Sequence, residues 1–142
     1  MSERPGPQEI FERFRRNVLD GGIGLTGDML AEDAVVETPF AAEGSPRRTE
    51  GRAAFLALAE AGREALPVVL TGFRDVVTHR TADPEVLVAE YTLAGRLAGP
   101  GRESGPELSA GFVVVLRVRD GRVVHWREYQ DTAALQRVLA GI

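Results

Sequence analysis

Val118-Arg119-Asp120-Gly121-Arg122-Val123-Val124-His125-Trp126-Arg127-Glu128-Tyr129-Gln130-Asp131 is the stretch that decides the fold. Asp-Gly stands between two runs rich in β-branched and aromatic residues. A type I′ turn needs φ > 0 at both central residues, and Asp-Gly supplies that at low cost, so the stretch reads as a tight antiparallel hairpin. Its arms are Leu108–Arg119 and Arg122–Asp131. Asp131 then precedes Thr132–Ala140, a helix-forming run, and is placed to cap it.

Working towards the N-terminus, the same two-residue period continues. Val69–Arg80 and Val86–Leu97 read as strands joined by Ala82-Asp83-Pro84, and Gly99 to Pro106 reads as a flexible tip before the hairpin. Further upstream the period becomes helical. Gly51–Leu66 carries a stripe of Ala54, Phe55, Leu58, Ala61, Ala65 and Leu66, ended by Pro67. The loop Ala41–Glu50 and a short strand, Ala34–Thr38 stopped by Pro39, precede it. Thr26 is placed to cap a short helix, Gly27–Leu30. The first helix starts at Pro7, where a missing N–H costs nothing, and runs through Ile10, Phe11, Phe14, Val18 and Leu19 to Gly21-Gly22. Residues 1–6 read as frayed. Helices first and an antiparallel meander afterwards predict an α+β fold: a single domain over 1–142, with helices on one face of a curved sheet and room for a pocket between them.

Composition narrows the function. The 142 residues are 44% hydrophobic and 27% charged, an ordinary globular profile for one domain. Seventeen Lys and Arg against 21 Asp and Glu leave a formal charge of −4, which argues against a nucleic-acid partner. The basic run Arg13, Arg15, Arg16 is interleaved with apolar residues and reads as the wet side of the first helix. The absence of cysteine excludes disulfides, thiolate catalysis and sulfur-ligated metals. No apolar run approaches the roughly 18 residues of a membrane span, and the polar, Pro-rich N-terminus lacks a signal-peptide pattern; a cytoplasmic protein is expected.

Period two sorts the hairpin into faces. Phe112, Val114, Leu116 and Val118 are all apolar, so that face is the inner one. Its counterpart on the last strand is Val124, Trp126, Glu128 and Gln130. Glu128 then stands on an apolar wall, where desolvation raises a carboxyl pKa and suits it to proton transfer. On spacing alone a second reading is equally open, in which Glu128 is half-exposed and paired with Arg127 or another arginine. Tyr91 lies mid-strand, where packing is the commoner role and a pocket hydroxyl the rarer one. Glu37 reads as solvated, Asp33 as local turn structure, and His79 and His125 as isolated surface residues. No set of ligands suggests a metal, and no phosphate loop, dinucleotide fingerprint or nucleophile elbow is present.

The order of elements, Leu30-Ala31-Glu32-Asp33-Ala34-Val35-Val36-Glu37-Thr38-Pro39 and the hairpin resemble the SnoaL-like and ketosteroid-isomerase-like branch of the nuclear-transport-factor-like superfamily. The resemblance runs from Gln8 to Ile142. It implies a cone-shaped, mainly antiparallel sheet wrapped against N-terminal helices, an internal pocket and a homodimer. In ketosteroid isomerases the base corresponds to Thr38, and the oxyanion-binding tyrosine and aspartate fall near Phe14 and Val114. None of those groups is kept, so that chemistry is not expected. The last strand is similar to that of limonene epoxide hydrolase, whose proton-donating acid matches Glu128 and whose Arg-x-Asp pair falls near Tyr91 and Leu93. Thr81-Ala82-Asp83-Pro84, Arg127-Glu128-Tyr129 and Leu135–Ile142 are similar to the small dimeric proteins of phenazine biosynthesis, where an acid/base glutamate matches Glu128. Together these imply a pocket walled by Phe14, Thr38, Tyr91, Phe112, Val114 and Trp126, with Glu128 as the catalytic group. The expected ligand is a small, apolar or oxygenated molecule. The expected chemistry is cofactor-free cyclisation, isomerisation or hydrolysis in secondary metabolism. The alternative is a non-catalytic ligand-binding or dimerisation module.

Overall fold

The strand at the N-terminal side of the chain is not the sheet's edge but its second member. The computed structural model describes residues 4–99 and 105–140. Helix α1 (Pro7–Leu19) is followed by a 3-10 turn (Gly27–Met29), strands β1 (Leu30–Glu37) and β2 (Arg48–Glu50), and helix α2 (Arg52–Ala65). Strands β3 (Val68–Arg80), β4 (Val86–Leu97), β5 (Leu108–Arg119) and β6 (Arg122–Gln130) form the meander, and α3 (Thr132–Ala140) closes the described chain. The sheet order is β2-β1-β6-β5-β4-β3. Every pair is antiparallel except β1 with β6. The fold is α+β, a curved and unclosed sheet with helices on its concave side.

Local chemistry accounts for the element ends. Asp120 (φ 53°) and Gly121 (φ 79°) both adopt positive φ, as the type I′ turn requires. The Asp131 carboxylate accepts from the Ala134 N–H at 3.0 Å, a cap for α3. Thr26 does not cap the 3-10 turn; its hydroxyl bonds the Asp28 carboxylate instead. Arg47-Arg48-Thr49-Glu50 was expected to be loop, but Arg48–Glu50 pairs with Val35–Glu37 as the edge strand β2. Residues 1–3, and residues 100–104 of the glycine-rich tip, lie outside the described residues. Arg4, expected to be frayed, ion-pairs with Asp120 at 3.0 Å.

Bulges bend the sheet. β3 carries two register shifts against β4, at Leu70/Gly72 and Arg74/Val77, and Asp75 (φ 53°) sits in the second. A third bulge lies in β6. Arg117 pairs with His125 and Val118 with Val123, which leaves Val124 unopposed. Val123, not Val124, therefore shares the inner face with Trp126, and it is fully buried. Strict alternation from Glu128 back to Val124 fails at that extra residue.

The core forms where α1 crosses the concave face. Ile10, Phe11, Phe14 and Val18 are buried against Leu87, Tyr91, Val114, Leu116 and Trp126. Each such side chain contributes roughly 1.5–3 kcal/mol by leaving water. Leu19 stays 44% exposed, beyond the stripe. Helix α2 departs further from expectation, since none of its residues is buried. Phe55 and Leu56 lean on the core, while Leu58 and Leu66 are each 42% exposed. The inward stripe is Phe55, Leu56, Ala59 and Arg63, about one position round from the one expected. The reason is that α2 roofs a cavity, and a helix over empty space has little to bury against. Among the described residues no helix is long and apolar enough to cross a membrane.

Candidate active site

The cavity beneath α2 has a volume of about 300 Å³. Its floor is the concave face of β4, β5 and β6, and α1 supplies one side. Phe14, Thr38, Tyr91, Phe112, Trp126 and Glu128 all line it. Val114, expected among them, lies one step deeper. It is fully buried in the core, paired across the strands with Glu128, and does not reach the cavity.

Aromatic rings hold these walls in place. Tyr91 stacks on Phe112 with centroids 5.4 Å apart, and Phe73 lies 5.1 Å from Tyr91 on the other side. Phe14 packs against Trp126 at 4.8 Å. Ring pairs at such spacing contribute about 0.5–1.5 kcal/mol beyond their area. Gly24 makes room for Phe14: a Cβ added there would meet its ring at 2.7 Å, and the φ of +85° is itself glycine-like.

Glu128 points into this space. The Tyr91 hydroxyl donates to Glu128 Oε1 at 3.4 Å, a long bond. Burial raises the Glu128 pKa above the usual carboxylate range, while the Trp126 indole N–H and the Tyr91 hydroxyl act weakly the other way. Among the described residues no cation contributes to that balance. The reading of Glu128 as an arginine-paired edge residue is therefore not what the structure holds. Part of Glu128 faces the cavity rather than packed atoms, so it is accessible to a small molecule though screened from bulk solvent. Tyr91 is pushed well above its ordinary value, first by burial and then by the charge of Glu128, so it stays a hydroxyl donor. Thr38 lines the same cavity, but its hydroxyl already donates to the Pro46 carbonyl at 3.0 Å.

The opposite face of β6 carries charges that pair with one another. His125 Nε2 hydrogen-bonds Glu37 Oε1, Arg127 Nη2 lies 3.4 Å from the same oxygen, and Arg48 reaches Oε2 at 3.5 Å. Glu37 is thus engaged rather than solvated, and His125 is not isolated. Parallel pairing of β1 with β6 sets Glu37 opposite Arg127, a crossover that strand periodicity does not reveal. His79 likewise bonds Glu90 across β3 and β4. Among the described residues no three His, Cys, Asp or Glu converge as metal ligands.

Arg63 of α2 and Leu66, the residue that caps it, also line the cavity. Leu66 belongs to the stripe expected from the sequence, whereas Arg63 emerges only when the helix is rotated so that Phe55 and Ala59 set the stripe.

Residues 10–126 match the SnoaL-like domain family. The chain belongs to it. A provisionally named isomerase from Bacillus subtilis has a structure similar to this SnoaL-like chain, with a TM-score of 0.81, 27% identity and coverage of 95% and 93% of the two chains. An uncharacterised PhzA/B-like protein of Pseudomonas aeruginosa is 30% identical over 135 residues, 95% of this chain and 91% of the other. An epoxide hydrolase of the limonene-epoxide-hydrolase-like kind from M. tuberculosis aligns with a TM-score of 0.59 and 25% identity, over 93% and 90% of the chains.

Proposed function

We propose that this SnoaL-like protein is an acid/base enzyme acting without a cofactor on a small, largely apolar, oxygenated molecule. The observation that carries the reading is Glu128: a carboxyl with a raised pKa, no counter-cation among the described residues, and a largely apolar cavity in front of it. In its protonated form it donates to an epoxide, carbonyl or hydroxyl oxygen of the substrate. As the carboxylate it recovers a proton from substrate carbon or from water, so that it returns unchanged. Tyr91 holds the carboxyl and offers a second donor. Phe14, Phe112 and Trp126 exclude water and orient an apolar body, and Thr38 adds to the lining. The outcome is a cyclisation, isomerisation or hydrolysis, a step of the kind used in secondary metabolism. The likeness to an isomerase and an epoxide hydrolase supports that range of reactions.

A positioned proton donor contributes about 10²–10⁴-fold to rate. The test begins with an NMR titration of Glu128 and a panel of epoxides, β,γ-unsaturated ketones and polyketone chains followed by mass spectrometry. The expected result is a raised Glu128 pKa, turnover of at least one class, and loss of that turnover in a folded Glu128→Gln variant. An ordinary pKa for Glu128 overturns the reading.

A second reading is a ligand-binding module without turnover. The occupied Thr38 hydroxyl favours it, because few cavity hydroxyls remain free to act. Binding of panel members to both wild type and Glu128→Gln, with no product from either, decides for it. In either case we propose a homodimer in the cytoplasm. Phe40 supports the dimer: it is 60% exposed on the convex side and edges onto Tyr129 at 5.3 Å. Sedimentation equilibrium, with Phe40→Glu as the weakened form, tests it.

A further inference from the structure

The site does not end at Phe112. A second cavity of about 300 Å³ lies between α3 and the ends of β3, β4 and β5. Leu66, Leu70, Leu93 and Phe112 line both cavities. Those four side chains are therefore a shared neck rather than parts of two unrelated surfaces.

Strand register shows that the floor is continuous. Tyr91 pairs with Phe112, Leu93 with Ala110, and Gly95 with Leu108. Alternate residues share a face. Tyr91, Leu93 and Gly95 of β4 thus run beside Phe112, Ala110 and Leu108 of β5, from the Glu128 end to the far end. Four residues of strand span ~13 Å. The roof over the far end is Leu135, Val138 and Leu139 of α3, and among the described residues Ser109 is the one polar member of that lining. Gly95 lets β3 close tightly over this end of the floor, because a Cβ there would meet the Val69 carbonyl at 2.9 Å and the Val68 side chain at 2.8 Å.

We infer that the two cavities form one bipartite site for an elongated amphipathic ligand, its oxygen function at Glu128 and its hydrocarbon tail beneath α3. The inference rests on the proposal that the first cavity binds a ligand. It adds the ligand's shape and the polarity of each end. A free apolar compartment of this size stays poorly hydrated, so each methylene that enters it gains transfer free energy. The shared residues are single side chains from a helix end and three strands, and Leu66 among them is 42% exposed.

Methyl ketones with butyl, hexyl, octyl and decyl chains are the probes, titrated calorimetrically against the full chain. Affinity should rise up to about fourfold per methylene until the far compartment is full. Val138→Trp, a change on the α3 roof, should abolish the gain for octyl and decyl chains and leave the butyl ketone within twofold. Ala110→Leu should do the same from the floor. Glu128→Gln should keep the chain-length dependence. Flat affinity beyond butyl, no binding of any ketone, or unchanged decyl binding in both filled variants overturns the inference. So does a Val138→Trp variant whose only change is in oligomeric state, which would make the groove a contact between copies. Chain-length dependence without any turnover leaves the bipartite site standing and removes the acid/base reading. Turnover without chain-length dependence does the reverse.

Discussion

Glu37 and Glu128 flank one small part of the sheet and lie on opposite faces of it. Glu37, on the convex side, is held by His125, Arg127 and Arg48, and the His125 hydrogen bond leads in pulling its pKa below the usual value. Glu128, on the concave side, has a tyrosine hydroxyl and an indole N–H but no cation among the described residues, and burial pulls its pKa up. The same carboxyl is thus tuned in opposite directions by the face it occupies. The difference lies in the partner supply: β1 and β6 bring cations together around Glu37 outside, and aromatic rings surround Glu128 inside. One arrangement stabilises a surface charge, and the other keeps a proton available.

The largest test of that contrast is catalytic. Glu128→Gln keeps the shape and the hydrogen-bonding reach but cannot exchange a proton, so turnover should fall by about 10²–10⁴-fold. Glu37→Gln should leave kcat within twofold, measured on the same substrate. Equal losses from both variants would erase the distinction between the faces. Next comes the dryness of the cavity. Phe14→Ala should cost about 3–5 kcal/mol in chemical unfolding. It should also admit water next to Trp126, so that the Glu128 pKa, followed by NMR, moves down towards the ordinary range.

The two carboxyls should also give stability opposite dependences on pH. For Glu128 the folded-state pKa exceeds the unfolded one. The folded state therefore binds more protons between them, and stability falls as pH rises from the ordinary carboxylate range through the raised pKa. Glu128→Gln should remove that fall and gain about 1.4 kcal/mol for each unit by which the pKa was raised. For Glu37 the folded pKa is the lower one. Its contribution is present above the ordinary carboxylate range and is lost as pH drops through the lowered value. Glu37→Gln should cost under about 1 kcal/mol near neutrality, as surface ion pairs do, and nothing at acid pH. Urea midpoints measured across that pH range separate the two.

Much of this contrast was legible before any coordinates. Asp120-Gly121 and the alternation on either side placed the hairpin, and the all-apolar face of β5 marked which side was inner. Glu128 followed from that face and from the likeness to enzymes with an acid at the same place. What alternation could not show were the extra residue at Val124 and the β1–β6 pairing. The first is a local bulge with no compositional mark. The second joins residues some ninety positions apart, and so the charge partners of Glu37 stayed hidden. Helix α2 misled for another reason: its alanines and leucines fit several stripes equally well, and a helix that roofs a cavity is not selected for a buried one.

The finest test concerns the bond between Tyr91 and Glu128. At 3.4 Å it is long, and it acts against the dominant effect of burial. Tyr91→Phe keeps the ring stacked on Phe112 and removes the hydroxyl alone. The carboxylate then loses a donor, so its pKa should rise further, by a fraction of a unit. If the acid form does the chemistry, the basic limb of the kcat profile should move up in pH by the same amount. A downward shift would mean that water enters where the hydroxyl was, and that packing by Tyr91, rather than its hydrogen bond, keeps the concave face dry.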